Sequence, residues 1–322
     1  MAILLHSTSD FPSTYCGGAV SIGNFDGVHR GHAVLLRELV ALSRSHGGPA
    51  IVVTFDPPPT AVLHPDRPQV PPLTTMEHRA QLLGRLGVDV VLALPTDQRL
   101  LALSPHDFFH ETIVGILSAN SMCEGPNFRF GHQRAGDTSH LGRLCSQQGI
   151  ELRIVQPELE AGGMISSTRI RQHLLDGQVQ AANSLLTMPY EIGGIVSRGQ
   201  QRGRELGFPT ANLTQCKNLL PAHGVYSGRV SLDGKTFAAA VSIGPNPTFA
   251  EDTDKVEIHL VNWSGSLYGQ ALQCQLDNRI RSLIQFESIA ELRAQIERDV
   301  NQCASHTRRI LDGMRGVRQQ ND

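Results

Sequence analysis

An α/β chain in two parts is predicted: a parallel-sheet domain, then an antiparallel β-barrel closed by a C-terminal helix. Three observations predict it. Between about residues 20 and 160, short apolar runs alternate with helix-length segments, the pattern of a parallel sheet with right-handed crossovers. After "TMPY" at 187–190 the pattern changes to short alternating segments punctuated by Gly, Asp-Gly and Ser-Gly, as in antiparallel barrels. The length, 322 residues with 40% hydrophobic and 18% charged, is enough for two cores. The domains are therefore placed at 1–186 and 187–322, with the boundary near Met188-Pro189.

The first strand is "AVSIG" at 19–23, and the helix "AVLLRELVALSRSHG" at 33–47 follows, with Leu35, Leu36, Leu39 and Leu42 spaced for one face. "AIVVTFD" at 50–56 and "VDVVLALP" at 88–95 read as buried strands, with a helix through "TMEHRAQLLGRLG" at 75–87 between them. A helix through "SPHDFFHETIVGIL" at 104–117 leads to a strand "ELRIVQP" at 151–157. Two short helices fill "STRIRQHLLDGQVQAANSLL" at 167–186, separated by Asp176-Gly177. The barrel strands are "YEIGGIVS", "GVYSGRVSL", "KTFAAAVSIG", "KVEIHLVNW" and "QALQCQLDNRIR", and "SIAELRAQIERDVNQCASHTRRIL" at 288–311 is the closing helix.

Composition removes several function classes. Net charge is −2, divided as −3 over 1–186 and +1 over 187–322, so neither part has the basic excess of a nucleic-acid binder. The six cysteines contain no C-x-x-C pair, which argues against a disulfide framework or zinc knuckle and fits free thiols in a reducing cytosol. No basic n-region opens the chain and no apolar run reaches the length of a membrane span, so a cytoplasmic protein without a membrane partner is expected.

The chemistry is concentrated in "SIGNFDGVHRGHAVLL" at 21–36, where His29 and His32 sit at a strand-to-helix turn. Helix N-terminal N–H groups favour an anion there, and Gly23, Gly27 and Gly31 permit a close approach. Three readings compete: ordinary turn histidines, metal ligands, or two imidazoles sharing a phosphate chain. The metal reading lacks the Glu of H-E-x-x-H and a nearby Cys pair. The phosphate reading rests on spacing, since residues three apart in a first helical turn share a face.

Ser166, Ser167 and Thr168 precede a helix and suit N-capping, and the same geometry aims hydroxyls and N–H groups at an anion, with Arg169 or Arg171 adding a fork of donors. In the second half, "SRGQQRGRELGFPTANL" at 197–213 is an arginine-dotted glycine loop, and no G-x-x-x-x-G-K-[ST] occurs, which excludes a P-loop kinase. Taken alone the loop reads as a solvated hairpin. The "PTAN" turn shifts that reading, because the Thr210 hydroxyl and Asn212 carbonyl can face one hard cation. Glu257 lies on a strand whose other face carries Val256, Ile258 and Leu260, so its carboxyl points away from the apolar side, as in many outward-facing strand glutamates.

"GNFDGVHRGH" resembles the H-x-G-H signature of the adenylyltransferase module in bacterial bifunctional riboflavin kinase/FMN adenylyltransferases, the prokaryotic FAD synthetases. "TFDPPP" at 54–59, "GPNFRFGHQRAGD" at 125–137, "ISSTRIR" at 165–171, "GRELGFPTANL" at 203–213, "GVYSGRV" at 224–230, "SIGPNPTF" at 242–249 and "VEIHL" at 256–260 follow in that family's order, so the resemblance spans nearly the whole chain. It implies a Rossmann-like nucleotidyltransferase domain followed by a β-barrel riboflavin kinase domain. It implies that His29 and His32 hold ATP phosphates within the turn of Gly23, Asn24, Phe25, Asp26 and Gly31, that Asn127 touches the nucleotide side, and that Ser167, Thr168 and Arg171 form a closing phosphate clamp. It further implies an ATP site at Gly199, Arg202, Gly203 and Gly207, Mg2+ held with ATP by Thr210 and Asn212, and Glu257 as the base. Phe55, Pro57 and Arg281 fall on the flavin side.

The implied substrates are riboflavin, FMN and ATP, with FMN and FAD as products; no nucleic acid or membrane is involved, and self-association stays open. The sequence departs from the family at Leu283, where an acidic residue is usual, and at Met188, where Arg is common. Two other functions compete: a nucleotidyltransferase for a different phosphorylated acceptor, and a flavin- or nucleotide-sensing binding protein. "GFPTAN" argues against the first. Intact His29, His32, Thr210, Asn212 and Glu257 argue against the second.

Overall fold

The computed structural model describes the chain except residues 10, 158, 161, 162, 247, 249, 250 and 320–322, and except the side chains of 159, 251, 252 and 314–319. Pro247 and Phe249 of the "SIGPNPTF" motif thus lie outside the described residues. By its contacts the chain divides into two compact units, Met1–Val70 with Thr74–Ser167, and Pro71–Leu73 with Thr168–Asp322.

The first unit runs β1 (Ile3–Leu5), β2 (Ala19–Ile22), α1 (Arg30–His46), β3 (Ala50–Asp56), α2 (Pro59–Leu63), α3 (Met76–Arg85), β4 (Val90–Pro95), α4 (Gln98–Ala102), α5 (Pro105–Phe108), a π-helical turn Phe109–Ile116, β5 (Ser121–Glu124), α6 (Thr138–Gln148), β6 (Glu151–Ile154) and a short ribbon of β7 (Leu159–Glu160) and β8 (Gly163–Met164). Six strands form one parallel sheet in the order β1-β4-β3-β2-β5-β6. β3 and β4 are almost continuous Val, Ile, Leu and Ala, buried throughout their central residues, as a sheet covered on both faces requires. Strands are added on one side of β2 up to β4 and then on the other from β5, so the order reverses between β2 and β5. Open α/β sheets bind ligands at the carboxyl ends of the strands beside such a reversal.

α1 turns Leu36, Leu39 and Leu42 into the core and ends in Gly47, whose φ of 71° is the left-handed conformation of a helix C-cap. Leu35 is half-buried and lines a cavity instead. The helix read from 104 to 117 is a short α-turn continued by the π-helical stretch.

The second unit holds α7 (Ser167–Leu175, its first residue counted with the first unit), α8 (Val179–Leu185), β9 (Glu191–Ser197), α9 (Arg202–Glu205), β10 (Ala211–Thr214), β11 (Gly224–Leu232), β12 (Lys235–Asn246), β13 (Glu251–Leu260), β14 (Ala271–Arg281) and α10 (Ile289–Gln319). The six strands close an antiparallel barrel in the order β10-β13-β12-β11-β14-β9. Asn183 of α8 ties that helix to the barrel, donating to the Leu276 carbonyl and accepting the Tyr190 N–H. α10 packs on β11 and β12. No helix among the described residues is long and apolar enough to cross a membrane.

Candidate active sites

In the first unit the chain leaves β2 at Ile22 and enters α1 through a buried loop, with Phe25 and Val28 both at positive φ (47° and 40°). Two non-glycine residues in that region need support from outside the loop. Asp26 provides the anchor: its Oδ1 accepts from the Thr74 N–H (3.1 Å), the Thr74 hydroxyl (3.2 Å) and Arg79 Nη2 (2.8 Å). Arg79 Nη1 also donates to the Asn24 carbonyl (2.9 Å), and the Gly27 N–H donates to Thr74 Oγ1 (3.2 Å). Both members of the Asp26–Arg79 pair are nearly inaccessible to solvent. Ser167 Oγ donates to the Asp26 carbonyl at 2.8 Å.

His29 is the N-cap of α1 in extended conformation, not a first-turn residue, and its Nδ1 accepts the His32 N–H at 3.2 Å. That bond fixes the proton of the neutral ring on Nε2. The two imidazoles stack with centroids 3.5 Å apart and an interplanar angle of 15°. Burial lowers the His29 pKa to about 4, with the Asp26 charge opposing. Burial, then the neighbouring His29 and Arg79, hold His32 well below 6.5. Both rings are therefore neutral at pH 7, and His32 Nδ1 is buried with no protein partner among the described residues.

A cavity of about 260 Å³ opens at the carboxyl ends of β2 and β5 and brings together Gly23, Asn24, Phe25, Gly31, His32 and Asn127. His29 is stacked on His32 and nearly buried, and Asp26 is taken up by Arg79. Phe55 and Pro57, at and beyond the end of β3, are not part of the cavity wall. Thr168 and Arg171 stand on α7 and count with the second unit. Among the described residues no group of three His, Cys, Asp or Glu is placed to hold a metal ion.

In the second unit strand register builds the site. Glu257 on β13 pairs with Asn212 on β10 and with Ser242 on β12, and directly opposed residues share a face. The alternate residues Val256, Ile258 and Leu260 are buried in the barrel. Glu257 therefore faces an outer cavity of about 150 Å³, whose wall includes Arg202, Gly203, Thr210, Ser242, His259 and Arg281. The "PTAN" segment is a turn only up to Thr210, since Ala211 and Asn212 begin β10. A Cβ on Gly199 would stand 2.5 Å from the Asn212 amide, and one on Gly203 would stand 2.5 Å from the Phe208 carbonyl, so both glycines are needed for close approach. Gly207 follows α9 at φ 90°.

His259 donates from Nδ1 to the Pro209 carbonyl at 2.9 Å and so holds the segment preceding Thr210. Arg281 pairs with Asp299 of α10 (2.8 Å), donates to the Ser282 carbonyl and lies over the Phe286 ring. Leu283, with Ile284 and Phe286, makes this part of the cavity wall apolar. Sequence reasoning missed Thr74, Arg79 and His259. His259, two residues from Glu257 on one strand, was legible from alternation; Thr74 and Arg79, about fifty residues from the turn they support, carried no local signal.

The FAD synthetase family profile matches residues 12–169 and the riboflavin kinase profile matches residues 186–307. The chain is 37% identical over 296 residues to a protein of Escherichia coli (strain K12) named bifunctional riboflavin kinase/FMN adenylyltransferase, covering 92% of this chain and 94% of that one. Proteins of the same name from Pseudomonas fluorescens and Bacillus subtilis are 35% and 33% identical, over 88% and 87% of this chain and 91% and 89% of theirs. A crystal structure from Streptococcus pneumoniae, described as a macrolide-efflux protein, superposes with a TM-score of 0.83 at 29% identity, covering 94% of this chain and 98% of that one. Two successive profiles and full-length likeness agree with two cavities, one in each unit: the chain belongs to the bifunctional riboflavin kinase/FMN adenylyltransferase family, with the FAD synthetase part first and the riboflavin kinase part second.

Proposed function

We propose that each activity is carried by one of the two cavities, with the functional boundary at 186/187. The supporting observation is that each cavity lies within one unit and gathers residues suited to one of the two reactions. In the first, a phosphate oxygen of FMN attacks the α-phosphorus of ATP and pyrophosphate leaves, giving FAD. No proton has to be removed from the nucleophile. The task of the chain is to position both phosphate chains and stabilise the charge that moves onto the leaving group. His32, the loop Gly23–Asp26, Gly31 and the α1 N-terminus do this as uncharged donors, with His29 setting the His32 ring. Asn127 takes the nucleotide side, and Ser167, whose hydroxyl donates to the Asp26 carbonyl, stands at the phosphate side. Phe55 and Pro57 serve the flavin.

In the second cavity the riboflavin 5′-hydroxyl oxygen attacks the γ-phosphorus of ATP, its proton passes to Glu257, and ADP leaves. Gly199, Arg202, Gly203 and Gly207 receive the ATP phosphates, and Arg281 and its apolar neighbours receive the flavin. The donors at Thr210 and Asn212 are a hydroxyl and an amide carbonyl, hard oxygen ligands of the kind Mg2+ takes alongside phosphate oxygens. Mg2+ would supply charge neutralisation on the phosphate oxygens. The enzyme works in the cytoplasm, without a membrane or nucleic-acid partner.

Incubation of the purified chain with riboflavin, ATP and magnesium, followed by separation of the flavins, tests the assignment. FMN is expected first and FAD after it. Riboflavin left unmodified by an active preparation would remove the kinase reading, and FMN accumulating alone would remove the adenylyltransferase one.

A further inference from the structure

Glu124 is a buried ionisable group in the first cavity for which neither reaction has a use. It is the last residue of β5, is 1% exposed, and lines the same cavity as His32 and Asn127. Its Oε1 accepts the N–H of Ile22, the last residue of β2, at 2.7 Å. The bond therefore spans the point where strand order reverses, beside the Gly23–Asp26 loop. Among the described residues no cation and no second hydrogen bond engages the carboxyl. Burial pushes its pKa well above the ordinary carboxylate range, with only the Ile22 bond opposing, which favours the protonated carboxyl.

A lone carboxyl at the end of a strand that could be wholly apolar destabilises the fold, and such groups in clefts mark functional positions. Its orientation carries information. In the protonated carboxyl the Ile22 N–H marks Oε1 as the carbonyl oxygen, which leaves Oε2–H as a donor, with a remaining Oε1 lone pair as an acceptor beside it. Adenine offers the complement on either edge of its 6-amino group, a ring-nitrogen acceptor next to an N–H donor. The cavity runs from Gly31 and His32 at the α1 N-terminus to Ile22 and Glu124 at the ends of β2 and β5, so a nucleotide with its phosphates at the helix can reach Glu124 with its base.

We propose that Glu124 is a specificity-determining residue for adenylyl transfer: its carboxyl donates to a ring nitrogen of the adenine base and accepts from the 6-amino group. The inference rests on the assignment of adenylyl transfer to this cavity. Hypoxanthine replaces the amino donor with an acceptor, and unsubstituted purine has neither, so both leave a buried polar group unpaired.

The test measures FMN adenylylation by the full chain with ATP, inosine triphosphate and purine riboside triphosphate, with riboflavin phosphorylation as an internal control of folding. The wild type is expected to prefer ATP by about tenfold or more over both analogues. Glu124→Met should bring that preference close to one while riboflavin phosphorylation continues at its normal rate. Glu124→Gln reproduces a pinned carbonyl and a donor, so it should keep the preference within about threefold. The Gln variant and the substrate series in the wild type decide the matter even if the Met variant does not fold. A wild type indifferent to the 6-position, a Met variant that keeps the preference, or a Gln variant that loses it would each overturn the inference. So would a defect confined to the KM for FMN, which would put the carboxyl against the flavin. FAD failing to form from ATP in the wild type would overturn the cavity assignment and this inference with it.

Discussion

Around His29 and His32 the first unit keeps charge away: the rings are neutral, the nearby Asp26 charge is matched by Arg79, and burial favours the protonated form of Glu124. Around Glu257 the second unit instead presents a carboxyl-bearing residue, Arg202 and Lys255 to one outer cavity. The two reactions differ in the same sense. Transfer to an FMN phosphate has a nucleophile that is already ionised, so fixed dipoles and donors suffice. Transfer to a hydroxyl has a proton to dispose of and needs a titratable acceptor. Placing the two chemistries on one chain requires two environments, which is a physical reason for two units.

The largest expected effect separates the sites. Glu257→Gln should lower riboflavin phosphorylation by roughly 10²–10⁴-fold, with riboflavin and ATP still bound and FMN still converted to FAD. Normal turnover at saturation with weakened binding would make Glu257 a binding residue. Next comes the ion pair beneath the histidine loop. Arg79→Met leaves Asp26 buried without its partner, a loss of about 3–5 kcal/mol for such pairs, so adenylylation and the amide protection of α1 should both fall. Arg79→Lys should restore part of each, and a Met variant with full activity would show that the loop holds itself.

The third expectation concerns pH. The folded His29 pKa of about 4 lies below the ordinary 6.5, so the unfolded chain binds the extra proton between those values. The stability that neutral His29 contributes is full above about pH 6.5 and is lost as pH falls toward 4, by roughly 3 kcal/mol at most. Hydrogen exchange of the α1 amides should show this decline, and His29→Asn, which keeps an N-cap acceptor, should flatten it. The raised pKa of Glu124 acts with the opposite sign above its ordinary value, and comparison of the two proteins cancels it. The smallest effect is His32→Ala, expected to slow FMN-to-FAD conversion about tenfold or more by removing a contact worth roughly 1.5 kcal/mol. Equal slowing of riboflavin phosphorylation would mean that the two sites are not independent.

Much of this was legible in the sequence, because β2, β3, β4 and α1 carry long unambiguous patterns and the barrel strands alternate cleanly. β5 and β10 were not. "SMCE" and "ANLT" are four residues each, without a run of β-branched side chains, and only their neighbours make them strands. Overlooking β5 concealed Glu124, which ends it. The His29–His32 pairing was legible from spacing, but its stacking was not, since His29 proved to be the cap and not the first turn. The supports Thr74 and Arg79 arrive only through the crossover between β3 and β4, a tertiary fact with no local signature. In the second unit, alternation gave the face of Glu257; barrel closure alone supplied its neighbours.

Asn212, Glu257 and Ser242 meet on one face because three strands are in register, and a strand has only two faces. The kinase half is thereby subject to a parity rule. Loss of one residue from β13 ahead of Glu257 would rotate that side chain into the barrel and turn Ile258 toward the outer cavity, with the ladder of backbone bonds still complete. Loss of two would restore the facing, one step out of place. Length can therefore drift in the loops of this half, while an odd change within β13 ahead of Glu257 moves its carboxyl off the outer face and its buried apolar neighbours out of the core.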